Sequence, residues 1–202
     1  MARPPAFDRE RALNQATKLF WARGYHATAL PDLLETMGIA RSSFYAAFGD
    51  KRSLFAECLR RFGRRTLEIT HAAQPRSTDT ADAGEMVRGF FAATILDVAP
   101  DRLRNGCLLV NSVLELADTD PELSRLSAQH LGDIEDAFEQ AFDAALSNGT
   151  LRSLLSARDL ARCVMTLNQG LRVQSRKRVP RETLWSTVEN TLALLGLSRH
   201  AA

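Results

Sequence analysis

"MGIARSSFYAAFGDKRSLF", Met37 to Phe55, holds a glycine turn, an outward polar face and a helix start. Gly38 closes a run in which Leu30, Leu33, Leu34 and Met37 recur at helical spacing, so a short helix ends there. Arg41 to Phe48 reads as a second short helix, with Phe44 and Phe48, four apart, on its inward face and Arg41, Ser42 and Tyr45 on the other. Asp50 caps a longer helix through Leu54, Phe55, Cys58, Leu59 and Phe62, and Lys51 lies in its first turn. Two short helices joined by "MGIA" match a helix-turn-helix, whose second helix lies in the DNA major groove. The residue types suit that use: Arg bridges a guanine edge, Ser contacts bases or phosphates, and Tyr packs on a thymine methyl or reaches a phosphate. Lys51 adds charge beside helix-start N–H groups that already attract phosphate.

Working outward, the periodicity stays helical and no strand or hairpin signal appears. Asp8 to Arg23 aligns Ala12, Leu13, Ala16, Leu19 and Phe20 on one stripe before Gly24. Thr28 is placed to cap the next helix, with Pro31 tolerated in its first turn. The pattern lapses around "AAQPRSTDTADAG", a loop or boundary. Glu85 to Val98 is apolar through Phe90, Phe91, Ile95 and Val98, with Pro100 after its end. "GCLLVNSVLELA" follows, then "TDPEL" opens a long amphipathic helix that Asn148 and Gly149 close. Ser156 with Asp159 starts a helix to about Arg178, and Pro180 opens a last one stopped by Gly196. The expectation is an all-α chain of about nine helices: an N-terminal three-helix helix-turn-helix module over residues 1–50 and a helical regulatory and dimerisation domain over 51–202.

Composition agrees with that reading. The 202 residues are 45% hydrophobic and 25% charged, an ordinary globular balance. There is no apolar run of about 18 residues to span a bilayer and no signal-peptide pattern, so a cytoplasmic protein with no membrane partner is expected. Cys58, Cys107 and Cys163 are too far apart for a Cys-x-x-Cys zinc site and odd in number for a disulfide framework. Neither metal nor cofactor is expected. From Met1 to Arg65 there are twelve Lys and Arg against six Asp and Glu, whereas the remainder has fourteen against eighteen. The basic third is the part suited to a polyanion.

The run "GYHATALPDLLETMGIARSSFYAAFGDKRSLF" resembles the DNA-binding domain of the TetR family of bacterial transcriptional regulators, over about Arg9 to Arg61. The shared features are a glycine-aromatic pair, a Thr, a short helix, a Gly turn, an aromatic-Tyr pair, a Phe and a Lys. The resemblance implies a homodimeric repressor that grips a palindromic double-stranded operator and is released when a small-molecule or electrophile effector reaches its C-terminal domain. It makes Thr28 and Lys51 phosphate anchors, and Arg41, Ser42, Ser43 and Tyr45 the groove-facing set. Ala40 departs from the pattern where a capping Ser is common, and Ala46 and Ala47 stand where larger DNA-touching residues are common.

"NGCLLVNSVLELAD" resembles a segment in one TetR subgroup, some of whose members respond to electrophiles or oxidants. Cys107, in a first helical turn after Arg102 and Arg104, is placed to be a reactive thiolate; the plain alternative is a small buried residue at a packed helix start. Phe91, Val110, Leu114 and Phe138 are candidate effector-pocket walls. Asn168 and Arg172, polar and four apart on an apolar helix, fit a pocket lining or a dimer contact. Cys58 and Cys163 lie on apolar stripes and read as core. Leu160, Val164, Leu167 and Leu171, with Leu184, Val188, Leu192 and Leu195, offer surface for a four-helix bundle between two subunits. Two competing readings are a helical scaffold, which leaves the outward Arg/Ser/Tyr set unexplained, and a cysteine-dependent enzyme, for which no Cys/His/Asp arrangement is evident.

Overall fold

The computed structural model describes residues 7–74 and 83–197, and among these there are helices and no strands. The elements are α1 (Arg9–Arg23), α2 (Leu30–Met37), α3 (Arg41–Phe48), α4 (Lys51–Ala72), α5 (Ala83–Phe91), a π-helical turn (Ala92–Leu96), α6 (Pro100–Arg104), α7 (Leu108–Leu116), α8 (Pro121–Ser147), α9 (Ala157–Arg176) and α10 (Arg181–Leu194). Most of the loop expected around "AAQPRSTDTADAG" lies outside the described residues.

The chain divides into two compact units. The first joins residues up to Arg64 with Cys107–His130, so it is larger than the module expected over residues 1–50. The second joins Arg65–Gly106 with Leu131 onward.

In the first unit the helix ends follow from local chemistry. Asp8 caps α1 by accepting the Arg11 N–H at 3.0 Å, and Asp50 caps α4 by accepting the Ser53 N–H at 2.6 Å. Gly38 adopts a left-handed conformation, φ 66° and ψ 37°, and its N–H closes α2 on Leu34 and Glu35. Ala12, Leu13, Ala16 and Phe20 of α1 are buried with Leu33, Phe44, Phe48, Leu54, Phe55 and Leu59. Phe20 meets Phe55 edge-on at 4.7 Å between centroids. Gly63 is buried in α4, where any side chain would run into the ring of His130 on α8.

Thr28 does not cap α2. The cap residue is Ala29, whose N–H donates to the Asp32 carboxylate at 3.1 Å, while the Thr28 side chain is fully buried and its hydroxyl donates to the Gly24 carbonyl at 2.6 Å.

In the second unit, Phe90 makes edge contacts with Phe91 and with Phe138, each at 5.3 Å. The buried Arg88 reaches the Leu197 carbonyl at 2.9 Å and Glu189 at 3.2 Å. The stretch expected as one helix over Glu85 to Val98 changes register at Ala92, where the wider turn leaves carbonyls that α-helical bonding would have used. Arginines take three of the carbonyls here: Arg172 donates to Thr94 at 3.0 Å, and Arg181 donates to Leu96 at 2.8 Å and Val98 at 2.5 Å. Pro100, read as a stop, opens the short α6 from its first position, where its missing N–H costs nothing.

Leu160, Val164 and Leu171 of α9 and Leu184, Val188 and Leu192 of α10 are buried within a single chain. They are core rather than the intersubunit surface expected of them, because α9 and α10 already pack on each other and α10 on α5 and the π turn. Cys163 is likewise corrected: it is exposed, on the opposite side of α9.

Candidate nucleic-acid interface

Helix α3 stands on Phe44 and Phe48, both buried, with centroids 6.0 Å apart. Their burial turns Arg41, Ser42, Tyr45 and Ala46 outward. Tyr45 is 48% exposed, a large aromatic ring held in water beside a buried one at 5.5 Å. Ser43 is half-buried and Ala47 is turned partly inward, its carbonyl accepting a bond from Arg9 at 3.4 Å. Ala40, at the N-cap of α3, makes no side-chain bond to the helix. Of the four residues expected to face the groove, Arg41, Ser42 and Tyr45 are exposed and Ser43 is half-buried, and Ala46 adds a bare apolar position to the exposed face.

Lys51 begins α4 half-buried, with its Nζ 4.3 Å from the centre of the Tyr25 ring. Burial pulls its ammonium below the ordinary lysine value, and the Glu115 carboxylate pulls the other way. Tyr25 in turn lies 4.9 Å from the Phe55 ring. The aromatic ring fixes where the Lys51 charge is presented. Thr28, by contrast, has no exposed surface to offer a phosphate; its hydroxyl organises the α1–α2 turn instead.

Two groups of interactions around this turn were not legible in the sequence. The Tyr25 and His26 N–H groups donate to the two oxygens of Glu115 on α7 at 3.0 and 2.7 Å, and the His26 ring lies 3.0 Å from the Thr119 hydroxyl. Arg52 donates to both oxygens of Asp120, at 2.6 and 3.0 Å, and to Glu122 at 2.5 Å. The partners are some ninety and seventy residues apart, so no local pattern announces them.

The residues expected to serve an effector fall into both units. Cys107 and Val110 are buried in the first, and Cys107 is the N-cap of α7 with extended backbone. Leu114 is 71% exposed, which removes it as a pocket wall: its position on α7 turns it to solvent. Phe91, Phe138, Asn168 and Arg172 belong to the second unit and are buried. Arg172 donates to Asn168 at 3.1 Å as well as to Thr94, which explains why two polar residues stand on that apolar helix.

Residues 12–58 match the model of the bacterial regulatory proteins of the tetR family, and residues 83–183 match that of the tetracyclin repressor-like C-terminal domain. The chain belongs to the TetR family. It is a regulatory protein of the helix-turn-helix type, from a family of DNA-binding regulators rather than enzymes. Among TetR relatives, it is 31% identical over 84% of its length, and 85% of the relative's, to the uncharacterized HTH-type transcriptional regulator YezE of Bacillus subtilis. To the HTH-type transcriptional repressor ComR of Escherichia coli it is 29% identical, over 95% of this chain and 90% of that one. A cysteine-substituted CifR, a TetR family regulator solved in complex with 26-bp double-strand operator DNA, superposes with a TM-score of 0.80 at 32% identity, covering 96% of this chain and all of that one. No described helix of this TetR chain is long and apolar enough to cross a membrane.

Proposed function

We propose that this TetR protein represses transcription by holding a palindromic operator as a homodimer, with the α3 helices of the two subunits in successive major-groove faces, and that an effector acting beyond the DNA-binding helices releases it. The observation that carries the reading is the sidedness of α3: Phe44 and Phe48 are buried while Arg41, Ser42 and Tyr45 face solvent. A scaffold has no use for an exposed tyrosine flanked by Arg and Ser. Selection of genomic fragments by the purified protein tests it. The retained fragments should share an inverted repeat with half-sites about 34–36 Å apart, and should shift in a gel at moderate salt. Retention of fragments without a common repeat overturns it.

Cys107 is the proposed point of effector action. It stands at the N-cap of α7, and its burial restricts access to small electrophiles or peroxides. The exposed Cys163 would react with the same reagents, so the test belongs in a Cys163→Ser background. There, Cys107→Ser should bind operator as its parent does and no longer release it on treatment. A parent that ignores such reagents would make Cys107 packing and the effector a noncovalent ligand of the second unit, near Phe91, Phe138, Asn168 and Arg172.

A further inference from the structure

Within the α1–α2 turn Thr28 satisfies the Gly24 carbonyl, but two backbone N–H groups of the turn find their acceptor on α7. Gly24 leaves α1 at φ 89°, and the next two N–H groups, of Tyr25 and His26, point away from the helix toward a single carboxylate, that of Glu115. The approach is close enough that a Cβ on Gly24 would lie 2.8 Å from Glu115 Oε2, so a side chain here would strain the positive φ and displace the carboxylate from its two donors. The same carboxylate acts on the Lys51 ammonium, which rests on the ring of Tyr25. A charge on α7 therefore holds the turn that carries the platform under Lys51, although Glu115 is well removed in sequence from every residue of the DNA-facing set.

We infer that Glu115 is a positioning residue for DNA binding: by accepting both N–H groups of the α1–α2 turn it holds Tyr25, and with it Lys51, in the arrangement that meets the operator backbone. The inference rests on the operator-binding reading above. Two N–H groups bonded to an ionised acceptor are each stronger than neutral bonds, and two of them on one rigid turn leave few alternative conformers. Without the carboxylate the turn samples other conformers, and operator affinity falls in proportion to the fraction still competent. Glutamine is a stringent probe because it has the same shape: its carbonyl accepts one N–H, but its NH2 faces the other donor to donor.

The experiment compares wild type, Glu115→Gln and Glu115→Ala. In the DNA-free protein, amide exchange at Tyr25 and His26 should accelerate in both variants, while exchange in the buried part of α4 and the thermal midpoint stay near wild type. Operator affinity, measured against salt by fluorescence anisotropy, should fall by about tenfold, the equivalent of removing one charge-assisted bond. The salt slope should remain that of wild type, since the same number of phosphates is neutralised. Unchanged exchange at Tyr25 and His26, or unchanged affinity, overturns the inference. So does a lower salt slope, which would make Glu115 part of the phosphate-contacting electrostatics, and so does a drop in affinity matched by global unfolding. Because the exchange measurement needs no DNA, a wild type that binds no operator refutes the parent reading while the role of Glu115 in holding the turn is still decided.

Discussion

Tyr45 and Lys51 are both aromatic-linked, yet they should fail differently when removed. Tyr45 stands in water on the open face of α3, so Tyr45→Ala should weaken operator binding while the thermal midpoint stays near wild type. Lys51→Ala should also weaken it, and should lower the slope of log affinity against log salt by about one, the signature of one fewer phosphate neutralised. Titration of a labelled operator at several salt concentrations checks both, and undiminished binding by either variant would remove that residue from the interface. The cysteines also separate at this scale. Burial pushes the Cys58 thiol up to about 12, and its neighbour Thr17 does not offset that, so it stays protonated and inert at neutral pH. Alkylation of the native protein followed by mass spectrometry should label Cys163 first and leave Cys58 untouched until the chain unfolds. Early labelling of Cys58 would contradict the packing of α1 on α4.

At the scale of elements, the start of α8 is fixed by one carboxylate with two tasks. Asp120 accepts the Leu123 N–H at 3.1 Å as a helix cap and receives the fork of Arg52 from α4. Arg52 chiefly, with the cap bond, holds the Asp120 carboxyl below its ordinary range. A depressed folded pKa means that the stabilisation is complete above the unfolded value of about 3.9 and disappears as pH falls through the folded value. Asp120→Asn keeps a capping oxygen but loses the charge and one of the two acceptors of Arg52, so its thermal midpoint should lie below wild type at neutral pH and draw toward it as pH falls below about 4. Asp120→Ala removes the cap too and should cost about 1 kcal/mol more. Melting curves from pH 7 to 3 check the convergence; parallel curves would assign the effect to something other than this ionisation.

For the whole molecule, the burial of Leu160, Val164, Leu184 and Val188 inside one chain moves the expected subunit contact to the other side of α9 and α10. That side presents Thr166, Gly170 and Val173 at spacings of four and three, and Thr183, Thr187, Asn190 and Leu194 likewise. Leu194 is 87% exposed and Val173 48%, and a side chain added at Gly170 would meet nothing within 4 Å of the same chain. A C2 partner on this face would cover all of them. Leu194→Asp should therefore sediment as a monomer at micromolar concentration and bind the operator more weakly, with its helical content retained. A variant that remains dimeric would place the contact elsewhere.

The sequence by itself determined what local rules govern: the helices, their caps and glycine stops, and the sidedness of α3, because Phe44 and Phe48 four residues apart must share the buried face and leave Arg41, Ser42 and Tyr45 outside. It did not determine matters that depend on which side of an amphipathic helix finds a partner. The apolar stripes of α9 and α10 read as subunit contact, and their packing on each other, with that of α10 on α5 and the π turn, made them core; the same packing left Cys163 exposed. Thr28 looked like a cap because Thr beside a helix start is a common one, but the turn folds its hydroxyl onto Gly24 and gives the cap to Ala29 and Asp32. The Glu115 carboxylate meets the N–H groups of Tyr25 and His26 only when α7 is brought to the α1–α2 turn. Backbone donors carry no side-chain signature, so only the tertiary structure could name their acceptor.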